Sequence, residues 1–143
     1  MKKYLLTMYF IVLSIVGNAQ TKDGDIFKGT INNALYKIYI TMNFYENDIK
    51  VPGQELFGEL SGFLGDSIDS RKWLFTSATI KNNTATVEII NDYGSEDLVA
   101  TLTLNKDSTY TLKQVDGSAI KIARNSKWQK LPKELVFVRK ENK

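Results

Sequence analysis

Tyr-Lys-Ile-Tyr-Ile-Thr-Met-Asn-Phe-Tyr, residues 36–45, alternates without a break. Tyr36, Ile38, Ile40, Met42 and Phe44 fall on one face, while Lys37, Tyr39, Thr41, Asn43 and Tyr45 fall on the other. A repeat of two is the side-chain period of a strand, whereas a helix returns to the same face every third or fourth residue. The segment therefore reads as a strand with one buried side. Its apolar content leaves a polar face for solvent.

The pattern spreads in both directions. Upstream, residues 26–32 form a first strand with Phe27, Gly29 and Ile31 on one face. Downstream, Glu46-Asn47-Asp48 turns the chain, residues 49–51 begin a return strand, and Pro52-Gly53 interrupts it. Residues 55–64 are ambiguous, because Leu56, Leu60 and Leu64 recur at helical spacing. Gly58, Gly62 and Gly65 weaken a helix there by about 1 kcal/mol each relative to alanine, so a bent strand is expected. A polar loop at 66–72 precedes strands at 73–80, 85–91, 98–104, 109–115, 118–123 and 135–140. Asp116-Gly117 reads as a turn, and residues 128–133, with Pro132, as a connection. Short strands divided by Asn, Asp and Gly turns, with no long helical pattern between them, indicate an all-β antiparallel meander. About 8–10 strands are expected, closed into a barrel, with a β-sandwich as the alternative.

The chain has 143 residues, no cysteine and no histidine. Residues 1–19 have the layout of a cleavable export signal. Lys2 and Lys3 precede an apolar run at 4–16, and Gly17-Asn18-Ala19 supplies small residues before Gln20. A helix that spans a bilayer needs about 20 apolar residues, so no stable membrane insertion is expected. Cleavage between Ala19 and Gln20 would leave a single domain, residues 20–143, in the periplasm or outside the cell. Without Lys2 and Lys3, the 19 basic side chains fall to 17 against 16 acidic, which gives no general attraction to nucleic acid. Missing histidine and cysteine remove the usual neutral-pH base, the Ser-His and Cys-His nucleophiles, and histidine or thiolate metal sites. No cofactor, no metal and no catalytic residue are assigned, and the protein reads as a non-enzyme.

Three features remain as candidate sites. Lys121, Arg124, Lys127, Lys130 and Lys133 surround Trp128, an arrangement suited to docking an acidic protein or a polyanionic glycan. A solvated loop explains the same charges more simply. Tyr39, Tyr45 and Trp73 at a barrel mouth would offer faces for a sugar or another planar ligand, although core packing also accounts for them. The acidic loop at 91–97 lacks the spaced ligand ladder of a calcium loop and serves equally well as a polar turn. Glu55 with Glu59, or Asp66 with Asp69, are local carboxylate pairs of the kind glycosidases use, but their separation across a cleft is not fixed by spacing.

The Ala19-Gln20 junction, the early Phe27-Lys28-Gly29-Thr30-Ile31 strand and the meander resemble small exported lipocalin-like β-barrel proteins of Gram-negative bacteria. Phe27 and Gly29 stand where true lipocalins carry Gly-x-Trp, and the resemblance assigns no site residue. It implies a lipocalin-like barrel that binds without chemistry. The residues expected to bind a ligand or partner are Tyr39, Tyr45, Trp73, Lys127, Trp128 and Lys130. The expected partner is a small apolar or glycan ligand, or an envelope or extracellular protein, met by a monomer. The alternative is an inhibitor or immunity-type protein that blocks a cell-envelope enzyme through loops at one barrel end.

Overall fold

The computed structural model describes residues 25–92 and 94–139. The signal at 1–19 and Tyr93 of the acidic loop lie outside the described residues. Eight strands close into an antiparallel barrel. They are β1 (Lys28–Asn33), β2 (Ile38–Asn43), β5 (Gly62–Asp66), β6 (Trp73–Lys81), β7 (Thr84–Asn91), β8 (Asp97–Leu104), β9 (Tyr110–Gly117) and β12 (Glu134–Arg139). Neighbours in the ring follow chain order, and β12 returns to β1. The expected meander barrel is therefore the observed fold.

Two short hairpins stand outside the ring. One pairs β3 (Ile49–Lys50) with β4 (Glu59–Leu60), and the other pairs β10 (Lys121–Arg124) with β11 (Lys127–Lys130). The first corrects the reading of 49–51 as a return strand. These residues leave the barrel wall and fold over its outer surface, where Val51 packs with Phe63 and Leu74. Residues 55–64 are likewise divided among a single turn of 3-10 helix at Glu55–Phe57, β4 and β5. Their three leucines go to different places: Leu56 is exposed, Leu60 supports the outer flap, and Leu64 enters the core. Helical spacing was thus coincidental. Gly62 is required where β5 crosses β2, because a Cβ there would stand 2.4 Å from the Thr41 carbonyl oxygen.

The second hairpin corrects the 118–123 strand and the 128–133 connection. β9 continues through Gly117, whose φ of 92° ends the strand within 2.6 Å of the Asp97 carbonyl oxygen for any added Cβ. Residues 118–133 then fold back across one barrel opening. Ile120, Ile122 and Leu131 plug that opening and join the main core. Buried Gln114 clamps both legs of the plug, accepting from the Ile120 N–H at 2.9 Å and donating to the Pro132 carbonyl at 3.1 Å.

Alternation fills the barrel interior. Ile31, Ile40, Phe75, Val87, Leu102, Leu112 and Phe137 have no solvent exposure, so no water-sized void touches them. At roughly 1.5–3 kcal/mol for each large apolar side chain, this burial dominates the favourable side of folding. At the ring seam between β1 and β12, Ile31–Arg139 and Asn32–Val138 are in register among the described residues. Side chains reinforce it. Asn33 donates to the Val136 carbonyl at 3.0 Å, and Arg139 donates to the Lys28 carbonyl at 2.8 Å.

Candidate functional site at the loop end

The strand directions sort the connections into two ends. The turns at 34–37, 67–72 and 92–96 and the 118–133 plug share one end, termed here the loop end. Residues 25–27, the turns at 82–83 and 105–109, and the base of the β3–β4 flap share the other.

Arg124 organises the loop end. Its guanidinium donates to both Asp66 carboxylate oxygens, at 2.7 and 2.9 Å, and to the Tyr36 carbonyl at 2.8 Å. The Asp66 side chain is 4% exposed. One arginine thereby joins the plug hairpin to the β5–β6 and β1–β2 turns, which are also linked by the Ser67 N–H donating to the Lys37 carbonyl at 3.0 Å. Each joined segment carries a large apolar side chain in solvent: Leu35 is 79% exposed, Ile68 58% and Trp128 57%. Exposed Lys37, Lys127 and Lys130 lie in the same segments, and among the described residues none of the three forms an ion pair.

Beside this surface lies a cleft of about 130 Å³. Leu64, Trp73, Ile122 and Ala123 supply apolar lining, and Asp69, Arg71, Asp92, Glu96 and Lys121 supply polar groups. Trp73 is buried and its indole N–H donates to the Lys121 carbonyl at 3.1 Å, fixing β10 against β6. The Arg71 guanidinium sits 4.9 Å from the centre of the Trp128 ring and 3.2 Å from Asp69. Glu96 and Lys121 pair at 3.1 Å. Asp92 accepts the Lys72 backbone N–H at 3.0 Å. Every carboxylate at the cleft therefore already serves a donor of its own.

The acidic loop is organised by an amide. Asn91 Oδ1 accepts from the backbone N–H groups of Ser95 and Glu96, at 2.9 and 3.3 Å, and its amide donates to Ser95 Oγ at 3.1 Å. Among the described residues, no group of three or more acidic side chains is placed to hold a metal ion.

The six residues singled out in the sequence separate into three places. Trp73 and Trp128 meet at the cleft, and Lys127 and Lys130 flank Trp128 on β11. The register pairs Lys121 with Lys130 and Ala123 with Trp128, which puts these four on one hairpin face. Tyr39 instead lies on the outer barrel wall, edge-on to Phe63 with ring centres 5.9 Å apart, and covers Gly65. Tyr45 is at the opposite end, where its hydroxyl accepts the Phe27 N–H at 3.0 Å. Burial raises the Tyr45 pKa above 10.0, partly offset by that hydrogen bond. Of the suspected carboxylate pairs, Asp66 and Asp69 reach the cleft bound to separate arginines. Glu55 and Glu59 are exposed on the flap, where Glu55 accepts the Gly53 N–H at 3.2 Å. Arg71 was missed because its partner Trp128 is distant in sequence, and Glu96, visible as part of the acidic loop, pairs with the equally distant Lys121.

No family model, curated protein or solved structure matches this chain.

Proposed function

We propose that this is an exported, non-catalytic binding protein whose partner docks on the loop end and not inside the barrel. The filled interior carries this reading. Barrel side chains with no exposure leave an apolar ligand nowhere to enter, whereas the loop end offers a cleft beside three exposed apolar side chains. Arg124 fixes that surface before any partner arrives, and preorganisation lowers the ordering cost of association. The absence of a reaction is supported by the cleft carboxylates, each committed to a structural donor.

Site-specific photocrosslinking tests the reading. Benzoylphenylalanine placed at Lys130 should yield a defined adduct in the native envelope or medium, whereas the same group at Lys106 should not. Equal adducts at both ends would refute a loop-end site. Export is tested separately: the protein recovered outside the cytoplasm should begin at Gln20.

A specific observation favours the inhibitor or immunity-type reading as the second choice. Leu35, Ile68 and Trp128 protrude beside the exposed Lys37, Lys127 and Lys130, a combination suited to the acidic rim of another protein's cleft. An envelope hydrolase recovered as the Lys130 adduct, and inhibited by the purified protein, would establish it.

A further inference from the structure

We propose that the cleft between the plug hairpin and the turns at 67–72 and 92–96 is a subsite for one uncharged sugar ring. This rests on the loop-end reading and adds the chemical class of what enters. The first argument is size. A space of about 130 Å³ is of the order of the roughly 150 Å³ cavity that accepts a benzene ring, so the partly open cleft has room for one ring whose substituents reach its mouth and none for a second.

The second argument is the distribution of polarity. Leu64, Trp73 and Ile122 present carbon to the space, while Asp69, Asp92 and Glu96 border it. A pyranose has the matching division, with C–H groups on its faces and hydroxyls around its edge. An apolar side chain from a protein partner would satisfy the floor but strip water from the carboxylates without replacing its hydrogen bonds. Hydroxyls replace those bonds. Each carboxylate oxygen can accept more than one donor, so the existing contacts to Arg71, Lys121 and the Lys72 N–H leave acceptor capacity.

The third argument is charge. Asp66 is matched by Arg124, Asp69 by Arg71, and Glu96 by Lys121. An anionic ligand would meet those three carboxylates plus Asp92, and a cationic one would meet Arg71, Lys121 and Lys72. A neutral ring encounters neither penalty. Trp128, partly exposed at the cleft edge with Arg71 against it, extends the aromatic surface on which a second sugar residue of a chain would rest.

The chain contains two tryptophans, and both line this cleft, which makes intrinsic fluorescence a reporter of the site. The full-length exported protein is titrated with methyl glucoside, methyl galactoside, methyl mannoside and N-acetylglucosamine, alongside glucuronate, glucosamine and N-acetyltyrosine amide. At least one neutral glycoside should shift the emission saturably at millimolar concentration and move the backbone amide signals of residues 69–73, 92, 94–96 and 121–123. Trp128→Ala should weaken that binding about tenfold, equivalent to 1.4 kcal/mol. Ala123→Leu, which fills the cleft but keeps the exposed surface, should abolish it, with an unchanged amide spectrum elsewhere confirming the fold. Tighter binding of glucuronate, glucosamine or the tyrosine amide would overturn the proposal. So would silence from every neutral glycoside while the Lys130 crosslink persists, a result that leaves the loop-end reading standing. Loss of that crosslink with retained sugar binding would instead separate the two in the other direction.

Discussion

The two ends of the barrel contain similar residue types but use them differently. At the end opposite the plug, Phe27 stacks on Phe44 with ring centres 5.5 Å apart and meets Tyr110 edge-on at 6.4 Å. Arg139 lies over the Tyr110 ring at 5.7 Å and donates to the Tyr110 hydroxyl and to the Ile26 carbonyl. An arginine and aromatics are spent there on closing the seam between β12 and β1. At the loop end, Arg71 lies over Trp128 in a similar way, yet Trp128 remains more than half exposed. The same chemistry thus completes a core at one end and presents a surface at the other. What differs is whether the next layer of chain covers the ring.

If that contrast is right, damage at the closed end should cost the most stability. Phe27→Ala removes a side chain with no exposure and should cost about 3–5 kcal/mol, read by chemical denaturation. A cost below 1 kcal/mol, within the range of surface substitutions, would show that the closed end is not part of the cooperative core.

Arg124→Ala comes next and tests whether the loop end is truly pinned. It leaves Asp66 buried without its cation, a change expected to cost about 3 kcal/mol. Hydrogen exchange should accelerate in the turns at 34–37 and 67–72 and leave the 105–109 turn unchanged. The paired change Arg124→Met with Asp66→Leu should recover much of the stability but release the Tyr36 carbonyl, so the turns should still exchange faster. Unaltered exchange after Arg124→Ala would sink the idea of a preformed docking surface.

How far each end was legible in the sequence follows from the same contrast. The barrel wall was readable because each strand has one face in the core, which imposes a period of two on its side chains, as in Ile38, Ile40 and Met42. β11 was not readable, because all four of its residues are exposed and nothing in their polarity alternates. Its existence depends on the Asn125-Ser126 turn, where both residues have positive φ, 53° and 65°, the geometry of a tight hairpin. The flap was hidden for a different reason: Ile49, Val51 and Leu60 look like barrel residues but bury themselves on the outer wall. At the candidate site, Trp128 and its lysines were visible as a local cluster. The Arg124–Asp66 bond was not, since its partners are 58 positions apart.

A smaller effect should come from Tyr45 at the closed end. Tyr45→Phe removes the acceptor of the Phe27 N–H and should cost about 1–3 kcal/mol at neutral pH. Its pH dependence follows from burial, which raises the phenol pKa above 10.0 in the folded protein. The folded state then holds the proton more tightly than the unfolded chain, so this contribution is complete below pH 10 and is lost as pH rises through the raised value. The Phe27 N–H bond acts in the opposite direction and narrows that window. Alkaline denaturation should therefore be shallower in the Tyr45→Phe protein than in the parent. Identical slopes would mean that Tyr45 is as solvated folded as unfolded.

The smallest stability effect, and the largest effect on binding, belongs to the tip of the plug hairpin. Lys127, Trp128 and Lys130 are exposed, so Trp128→Ala combined with Lys127→Glu and Lys130→Glu removes little packing. Unfolding free energy should change by about 0.5 kcal/mol or less apart from the lost Arg71 stacking, itself worth about 0.5–1 kcal/mol at an exposed site. Partner capture through the loop end should nevertheless fall sharply, because an exposed tryptophan framed by exposed lysines is the feature this end has and the closed end lacks. The outcome that would dissolve the comparison is a triple variant as destabilised as Phe27→Ala: Trp128 would then be a structural cap, and the two ends would be doing the same work.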